Sequence, residues 1–588
     1  MKKIIAMLLV LAMMLSLAAC GGSSKKVATD VLPICLSSEP DTLDPALNSA
    51  VDGATMIVHL FSGLAKWSMD DAGIMSIVAD CATELPEAVD NGDGTVTYTY
   101  TLRDGMTWSD GQAVTAGDFE FAWKRAAAEE TGSDYGYMFE VVKGYPNDLA
   151  VTAKDDKTLE VVLATNVAYW HELTAFPTYM PVREDVVSNE AWATDPSTFI
   201  SNGVYTMSAW EHDSVITLSK NEKHFDAANV TMPTIKFFLS DDSNNMLTNF
   251  KKGDWLFIDD VPTNEIASLK KDFANEFVIA GQIGTYYVSW NVNEEILPAE
   301  LGLTGVEAEA ARAEIRSALG LLLDRNYIVN DVAQGGQVPA SAFVPMGMKN
   351  PDGTEFYTTA NSTTDDFDGY YNVAEEAFEA NFNTAVETLK KYYTFENGAF
   401  TNFPTLNYLY NTSESHKAIG EYMQTAFASV GITMQLENQE WNTFLNTRKD
   451  GDFSIARNGW VADYTDPICF LDMWISTSGN NDCQLGKGAH ADLAMYNMDL
   501  TAFGYDIKVE NGTWAETYDV LIKEIKACTD PVVCNQLMHY AEDMLMATGV
   551  IVPVYFYTDL YMKSEMVDGF FSIPLGYKYF MYTTINAK

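Results

Sequence analysis

The chain has 588 residues, 36 Lys and Arg against 82 Asp and Glu, a formal charge of −46, and 47% hydrophobic and 12% aromatic residues. That length and apolar content supply several domain-sized cores and exclude extended disorder. The acidity, in a sequence without any run of five or more basic residues, excludes nucleic acid as a partner, because phosphates demand a local basic patch.

Lys2 and Lys3, followed by the apolar run Ile4 to Leu17 and the small residues Ala18 and Ala19, predict an export signal over residues 1–19. The run is too short for a permanent membrane span. Leu17-Ala18-Ala19-Cys20 is similar to a bacterial lipobox, in which the signal is cut before the cysteine and Cys20 is acylated. Buried acyl chains contribute about 0.8 kcal/mol per CH₂, enough to hold a multiply acylated protein at a membrane surface. Residues 20–30, rich in Gly, Ser and Lys, suit a flexible tether, and the acidic body beyond it is expected outside the cytoplasm.

In chain order, Asn91-Gly92-Asp93-Gly94 reads as a turn, and Val96 to Leu102 alternates apolar residues with threonine as a half-buried strand does. Thr115-Ala116-Gly117-Asp118 is a helix start, with Phe119, Ala122, Trp123 and Ala126 at helical spacing behind it. Arg312 to Val332 predicts a second helix ending before Gly335-Gly336, and Val550 to Tyr557 a strand buried on both faces. The fold class is α/β with several lobes, and no repeat period is visible. Cys528 and Cys534, six residues apart on a helix-like stretch, are expected to be two small buried side chains rather than a pair.

Catalytic motifs are absent: no His-Glu-x-x-His, Gly-x-Ser-x-Gly, phosphate-binding loop or Cys-x-x-Cys occurs, and the histidines are scattered. Neither an enzyme, a cofactor nor a bound metal is therefore expected. One segment has a different character. Asn438 to Arg448 and Ile455 to Pro467 gather Arg448, Arg457, Trp460 and Asp463 among apolar residues. Arginine forks pair with a carboxylate and aspartate accepts from an ammonium, so the set suits a zwitterion; a surface ion-pair network is the competing reading.

This segment resembles the ligand-binding region of the dipeptide and oligopeptide-binding proteins, the extracytoplasmic solute receptors of ABC importers. Ser38 to Pro45, Leu102 to Gly111 with Val114 to Phe119, Ser201 to Tyr205 with Trp210, Ile315 to Leu319 with Leu323 to Arg325, and Ile551 to Tyr555 are similar to family signatures in the same order. The resemblance implies a two-lobed periplasmic-binding-protein-like fold with an extra domain. Residues 31–62, 195–283 and 548–588 would form the first lobe, 63–194 the extra domain and 284–547 the second lobe. It implies a monomer that captures oligopeptides and passes them to ABC permease subunits, without a cofactor, anchored to the cell membrane through Cys20. An oligosaccharide or metal-chelate receptor of the same superfamily and a surface glycosidase are the alternatives.

By the same resemblance Asp463 would hold the peptide ammonium, and Arg448, Arg457 and His416 would surround its carboxyl end. Trp460, Tyr135 and Val51 would flank the ligand, with Thr285, Tyr286 and Tyr287 facing it across the cleft. Two positions depart from the pattern: a family lysine falls at about Ala333, and a family acidic residue at about Ser49. Residues 480–513 are longer than expected, and His490 with Asp492 is read there as part of an exposed loop rather than a metal site.

Overall fold

A computed structural model describes residues 29–37, 39–70, 72–189, 191–359 and 367–586. The export signal, Cys20 and most of the tether lie outside the described residues. The backbone of the molecule is one mixed sheet of eleven strands. Its first half contains β1 (Val31–Cys35), which leads through α1 (Val51–Leu60) out of the sheet.

The chain then builds a separate four-stranded antiparallel sheet from β2 (Val89–Asp90), β3 (Val96–Thr101), β4 (Val151–Asp155) and β5 (Thr158–Leu163), in the order β2-β3-β5-β4. Val96, Tyr98 and Tyr100 of β3 point inward and the threonines outward, as the alternation requires. Helix α2 (Ala116–Ala127) covers this sheet and starts at a capping box in which the Thr115 N–H donates to Asp118 Oδ2 at 2.8 Å. Trp123 is fully buried beneath the helix and donates to the Tyr179 carbonyl at 2.8 Å.

Returning to the large sheet, the chain adds β6 (Tyr205–Glu211), β7 (Val215–Lys220), β8 (Thr234–Phe238) and β9 (Phe257–Ile258). The Ser201 to Tyr205 motif has a steric purpose. A Cβ on Gly203 would stand 2.3 Å from the Leu60 carbonyl carbon, so only glycine lets β6 begin against the end of α1.

The long strand β10 (Phe277–Trp290) leads into the second half, where α3 (Gly305–Leu321) precedes β11 (Leu406–Asn411), α4 (Glu414–Ala428), β12 (Met434–Gln439), α5 (Trp441–Lys449) and β13 (Ile455–Val461). A small hairpin, β14 (Tyr496–Asp499) with β15 (Lys508–Gly512), then α6 (Trp514–Ala527) and α7 (Pro531–Met546), lead to the long returning strand β16 (Ile551–Lys563). Ten of the eleven strands follow in the order β12-β11-β13-β10-β16-β9-β1-β8-β7-β6, and the eleventh, Val338–Pro339, pairs with β16 off this path. Two strands, β10 and β16, thus carry the chain between the halves. Their pairing slips between Gly281 and Thr285, opposite Thr558 and Phe556.

The predicted helix over 312–332 is displaced. Helix α3 begins at Gly305 and ends at Leu321, and Asp324 caps a new short turn by accepting from the Tyr327 N–H at 3.1 Å. The break turns Arg325 into the core, where it donates to the Pro553 carbonyl at 2.8 Å and lies 4.1 Å from the centre of the Tyr371 ring. Arg316, fully buried, donates twice to the Thr548 carbonyl, at 3.0 and 2.8 Å. Both arginines therefore fasten the start of β16 to the second half.

The expectation for Cys528 and Cys534 is overturned: they form a disulfide, with Cα atoms 5.6 Å apart, and neither is fully buried. The stretch is not one helix. Helix α6 stops at Ala527, and Asp530 caps α7 by accepting from the Val532 N–H at 3.0 Å, so the chain reverses between the two cysteines. His490 is likewise not on an exposed loop. It is 2% exposed, its Nδ1 accepts from the Gly486 N–H at 3.1 Å, and its ring lies 6.4 Å from that of Trp514. Among the described residues no cluster of three His, Cys, Asp or Glu side chains can hold a metal, and no helix is long and apolar enough to cross a membrane.

Because a short covalent loop restricts the unfolded chain, replacing Cys528 and Cys534 by serine is expected to cost about 2 kcal/mol. Urea unfolding of the oxidised, reduced and doubly substituted proteins measures it, with the last two expected to coincide.

Candidate functional site

Strand β13 is paired along its whole length with β10, from Gly284↔Val461 to Trp290↔Ile455. On its other side β11 reaches only Ile455 and Ala456. From Arg457 to Val461 that outer edge has no strand partner, and an unpaired edge inside a protein is a place for another chain to add. These residues line a cavity of about 290 Å³ between the halves of the molecule, closed by α1, α5 and the loops around Tyr135, Asn480 and Tyr577. A second cavity of about 390 Å³ continues from it, with Leu36, Ser37, Val51, Trp441, Arg457 and Tyr557 on both walls.

Asp463 stands at one end of the first cavity, two residues beyond β13, and is 7% exposed. Its carboxyl accepts from the Tyr135 hydroxyl at 3.3 Å, and its backbone N–H donates to Cys469 Sγ at 3.1 Å. No cation pairs with it among the described residues. Burial and the nearby Asp472 therefore push its pKa well above the ordinary carboxylate value. Asp472 Oδ2 lies 3.1 Å from Lys526 Nζ and accepts from the Tyr464 hydroxyl at 3.1 Å, while its Oδ1 has no hydrogen-bond partner. Trp460 completes this end, with its ring 6.0 Å from Tyr135 and its indole N–H donating to the Cys469 carbonyl at 3.0 Å.

Arg457 has the opposite problem. Its guanidinium lies 5.7 Å from the Tyr286 ring centre and 5.9 Å from that of Trp441, and among the described residues no carboxylate lies within 4.0 Å of it. Burial opposes its charge, but the surrounding phenols of Tyr557, Tyr286, Tyr555 and Tyr408 hold its pKa above the ordinary value. Its Nε has no hydrogen-bond partner. His416, in the first turn of α4, lines the second cavity with its ring 5.6 Å from Tyr286. Burial and Arg457 hold its pKa well below the ordinary value, so it stands neutral, a donor or acceptor rather than a second cation.

Arg448, in the last turn of α5, is already paired: its Nε lies 2.7 Å from Asp482 Oδ2, and Asp482 also accepts from Asn458 Nδ2 at 3.1 Å. Asp463, Arg448, Arg457, Trp460, Tyr135 and Val51 thus share the first cavity, and His416 joins them through the second. Thr285, Tyr286 and Tyr287 line neither. Thr285 is buried and donates to the Phe343 carbonyl at 2.7 Å, Tyr286 lies beneath Arg457, and Tyr287 packs 5.1 Å from Phe343. They sit on β10, whose edges are both occupied.

Sequence reasoning missed Asp482, Lys449 and the Tyr555–Tyr557 pair. Lys449 follows Arg448 and joins distant parts of the chain, 2.5 Å from Asp134 and 3.0 Å from Ser49 Oγ. Tyr555 and Tyr557 were legible as alternate residues of one strand. Asp482 had no local signal, since its partner is 34 residues away.

Two groups of strands joined by two crossing strands, with a buried polar cavity at the seam, define a two-lobed receptor that encloses its ligand. Residues 77–482 match the model of the bacterial extracellular solute-binding proteins, family 5. The oligopeptide-binding protein OppA of Bacillus subtilis is 30% identical over 99% of both chains. The solved OppA of Burkholderia pseudomallei superimposes with a TM-score of 0.76 at 26% identity, over 95% of this chain and 99% of that one. The murein tripeptide binding protein MppA of Escherichia coli superimposes at 0.75 over 95% and 99% of the chains, at 24% identity, and its unliganded open form at only 0.56. The chain belongs to the extracellular solute-binding proteins of family 5: it is an extracytoplasmic binding protein, not an enzyme.

Removing one partner of the Arg448–Asp482 pair leaves a buried charge alone. Asp482→Asn is expected to lower stability by about 3 kcal/mol, and the double variant Arg448→Met, Asp482→Leu by less. Thermal unfolding of the three proteins measures the difference.

Proposed function

We infer that the protein captures oligopeptides between its lobes and, acting as a monomer, delivers them to the membrane permease of an ABC importer. One observation carries the reading: among the described residues, Asp463 just beyond one end of a free strand edge pairs with no cation, and Arg457 at the other end pairs with no anion. Six residue steps separate them, four within β13 and two beyond its end, so at roughly 3.3 Å each the span is at most about 20 Å, less the reach of both side chains. A peptide with free termini carries those two charges at the ends of a backbone able to add as a strand. A neutral sugar has no use for either charge. The relatives named for oligopeptide and murein tripeptide binding support the same ligand class.

In this reading Asp463, with Tyr135 and Trp460 around it, takes the ammonium. Arg457, with neutral His416 beside it, takes the carboxylate, and Arg448 shapes the wall through Asp482. Val51 packs against the bound strand, while Thr285 to Tyr287 support β13 and Arg457 from behind. The lobes are residues 31–62, 195–283 and 548–588 on one side and 284–547 on the other, with 63–194 as the extra domain. The register slip between Gly281 and Thr285 supports a crossing there. Cys20, acylated after cleavage of residues 1–19, anchors the receptor to the membrane, with residues 20–30 as tether.

Peptides of two to ten residues passed over the purified protein, with retained species identified by mass spectrometry, test the ligand class; retention of a sugar or metal complex and of no peptide overturns it. Asp463→Ala is expected to lose about ten- to a hundred-fold in affinity for a free-amine peptide and almost none for its N-acetylated form. Titration calorimetry on both ligands separates these outcomes.

The raised pKa of Asp463 adds a proton linkage. An arriving ammonium lowers that pKa, so binding releases a proton wherever free Asp463 is protonated, and affinity is lost as pH falls through that range. Calorimetry in buffers of different ionisation enthalpy is expected to show up to one proton released for a free-amine peptide and none in Asp463→Asn.

A further inference from the structure

The second cavity has a chemistry that capture of the peptide termini does not use. Asp241, Asp259, Asp260 and Asp559 all stand on its wall. Lys578 Nζ lies 3.0 Å from Asp259 and 3.0 Å from Asp559, and it is the one lysine on that wall. Asp260 accepts only the N–H of Val261, at 2.7 Å, and among the described residues neither it nor Asp241 pairs with a cation. Asp559 is 7% exposed, and while its Oδ1 takes the Lys578 bond, its Oδ2 has no hydrogen-bond partner. Of the other groups facing the cavity, Arg457 at its edge is the one further cation; Ala333, Gln282, Gln337 and Thr263 are uncharged, His416 is held neutral, and Glu414 stands close enough to Asp260 to add to the repulsion.

Arg457 lies on the boundary between the two cavities. A peptide that places its carboxylate there ends at the mouth of the second cavity, and its last side chain is the group able to enter. We propose that this cavity selects peptides whose C-terminal residue carries a cationic side chain, lysine or arginine. The proposal rests on the peptide reading of the cleft. The same carboxylates act against alternatives. An acidic last side chain would meet Asp241 and Asp260, which no cation pairs among the described residues, and a longer peptide running past Arg457 would bring its own carboxylate beside them. Burial raises Asp260 to about 7 and Asp259 to about 8, and an entering ammonium or guanidinium lowers both.

The test compares Ala-Ala-Lys, Ala-Ala-norleucine and Ala-Ala-Glu by titration calorimetry on the purified protein at pH 8. The expected order is Lys, norleucine, Glu, with the lysine peptide favoured over its uncharged analogue by about ten-fold or more. In Asp241→Asn, Asp260→Asn the ratio of lysine to norleucine affinity is expected to fall towards one, and binding of the norleucine peptide reports that the variant is folded. Equal affinities in the parent protein, or a preference that survives in the double variant, overturns the cationic subsite while leaving the peptide receptor intact. Failure of all three peptides to bind overturns both.

Discussion

The pairing of β10 with β16 is the constraint on which everything else depends. These strands are long enough to belong to both halves of one sheet, so the two lobes share a hydrogen-bonded seam instead of a linker. The position of β13 beside β10 follows from that seam. So does the free edge from Arg457 to Val461, because β11 is offset and withdraws after two residues. The cavity is therefore a by-product of sheet construction: where a strand lacks a neighbour at the centre of a protein, the missing strand is supplied from outside.

Among the described residues, no opposite charge pairs with the ionisable group at either end of this cleft. Ionising a buried group without a partner is costly: burial raises the pKa of Asp463 so that it tends to hold its proton, while Arg457 keeps its charge among phenols. An empty closed state is thus disfavoured by its own electrostatics, and a ligand with complementary ends removes both penalties at once. This gives closure a thermodynamic direction: the ligand shifts the population because it interacts differently with the open and closed arrangements. Polar contacts away from the cleft join parts of the chain distant in sequence. Lys449 reaches Asp134 and Ser49, Thr465 donates to Glu172 at 2.6 Å, and Lys526 lies 2.9 Å from Glu140.

Local pattern was enough to expose β3, the capped start of α2, the buried run of β16 and the charged segment around β13, because each is encoded by residues close in sequence. Family resemblance added the lobes and the roles of Asp463 and Arg457. What stayed hidden depends on distant partners. Arg448 and Arg457 look alike in the sequence, and only the presence of Asp482 beside one of them separates a structural cation from a free one. His416 reads as basic, yet its surroundings keep it neutral. The disulfide was obscured by helical spacing running through Cys528 and Cys534, although Asp530-Pro531 was a helix-start signal that divides the stretch in two.

The two buried arginines at the start of β16 have a mechanical meaning. Arg316 on Thr548 and Arg325 on Pro553 fix that end of the strand to the second lobe by its own carbonyls, so the strand cannot slide lengthwise past β10. Sliding being barred, the lobes are left with bending, concentrated at the slipped register near Gly281 and Phe556. A hinge confined to that slip would bring the outer faces of both lobes to one relative orientation whatever side chains fill the cleft. A transporter meeting that surface can register that the receptor is full without learning what it carries.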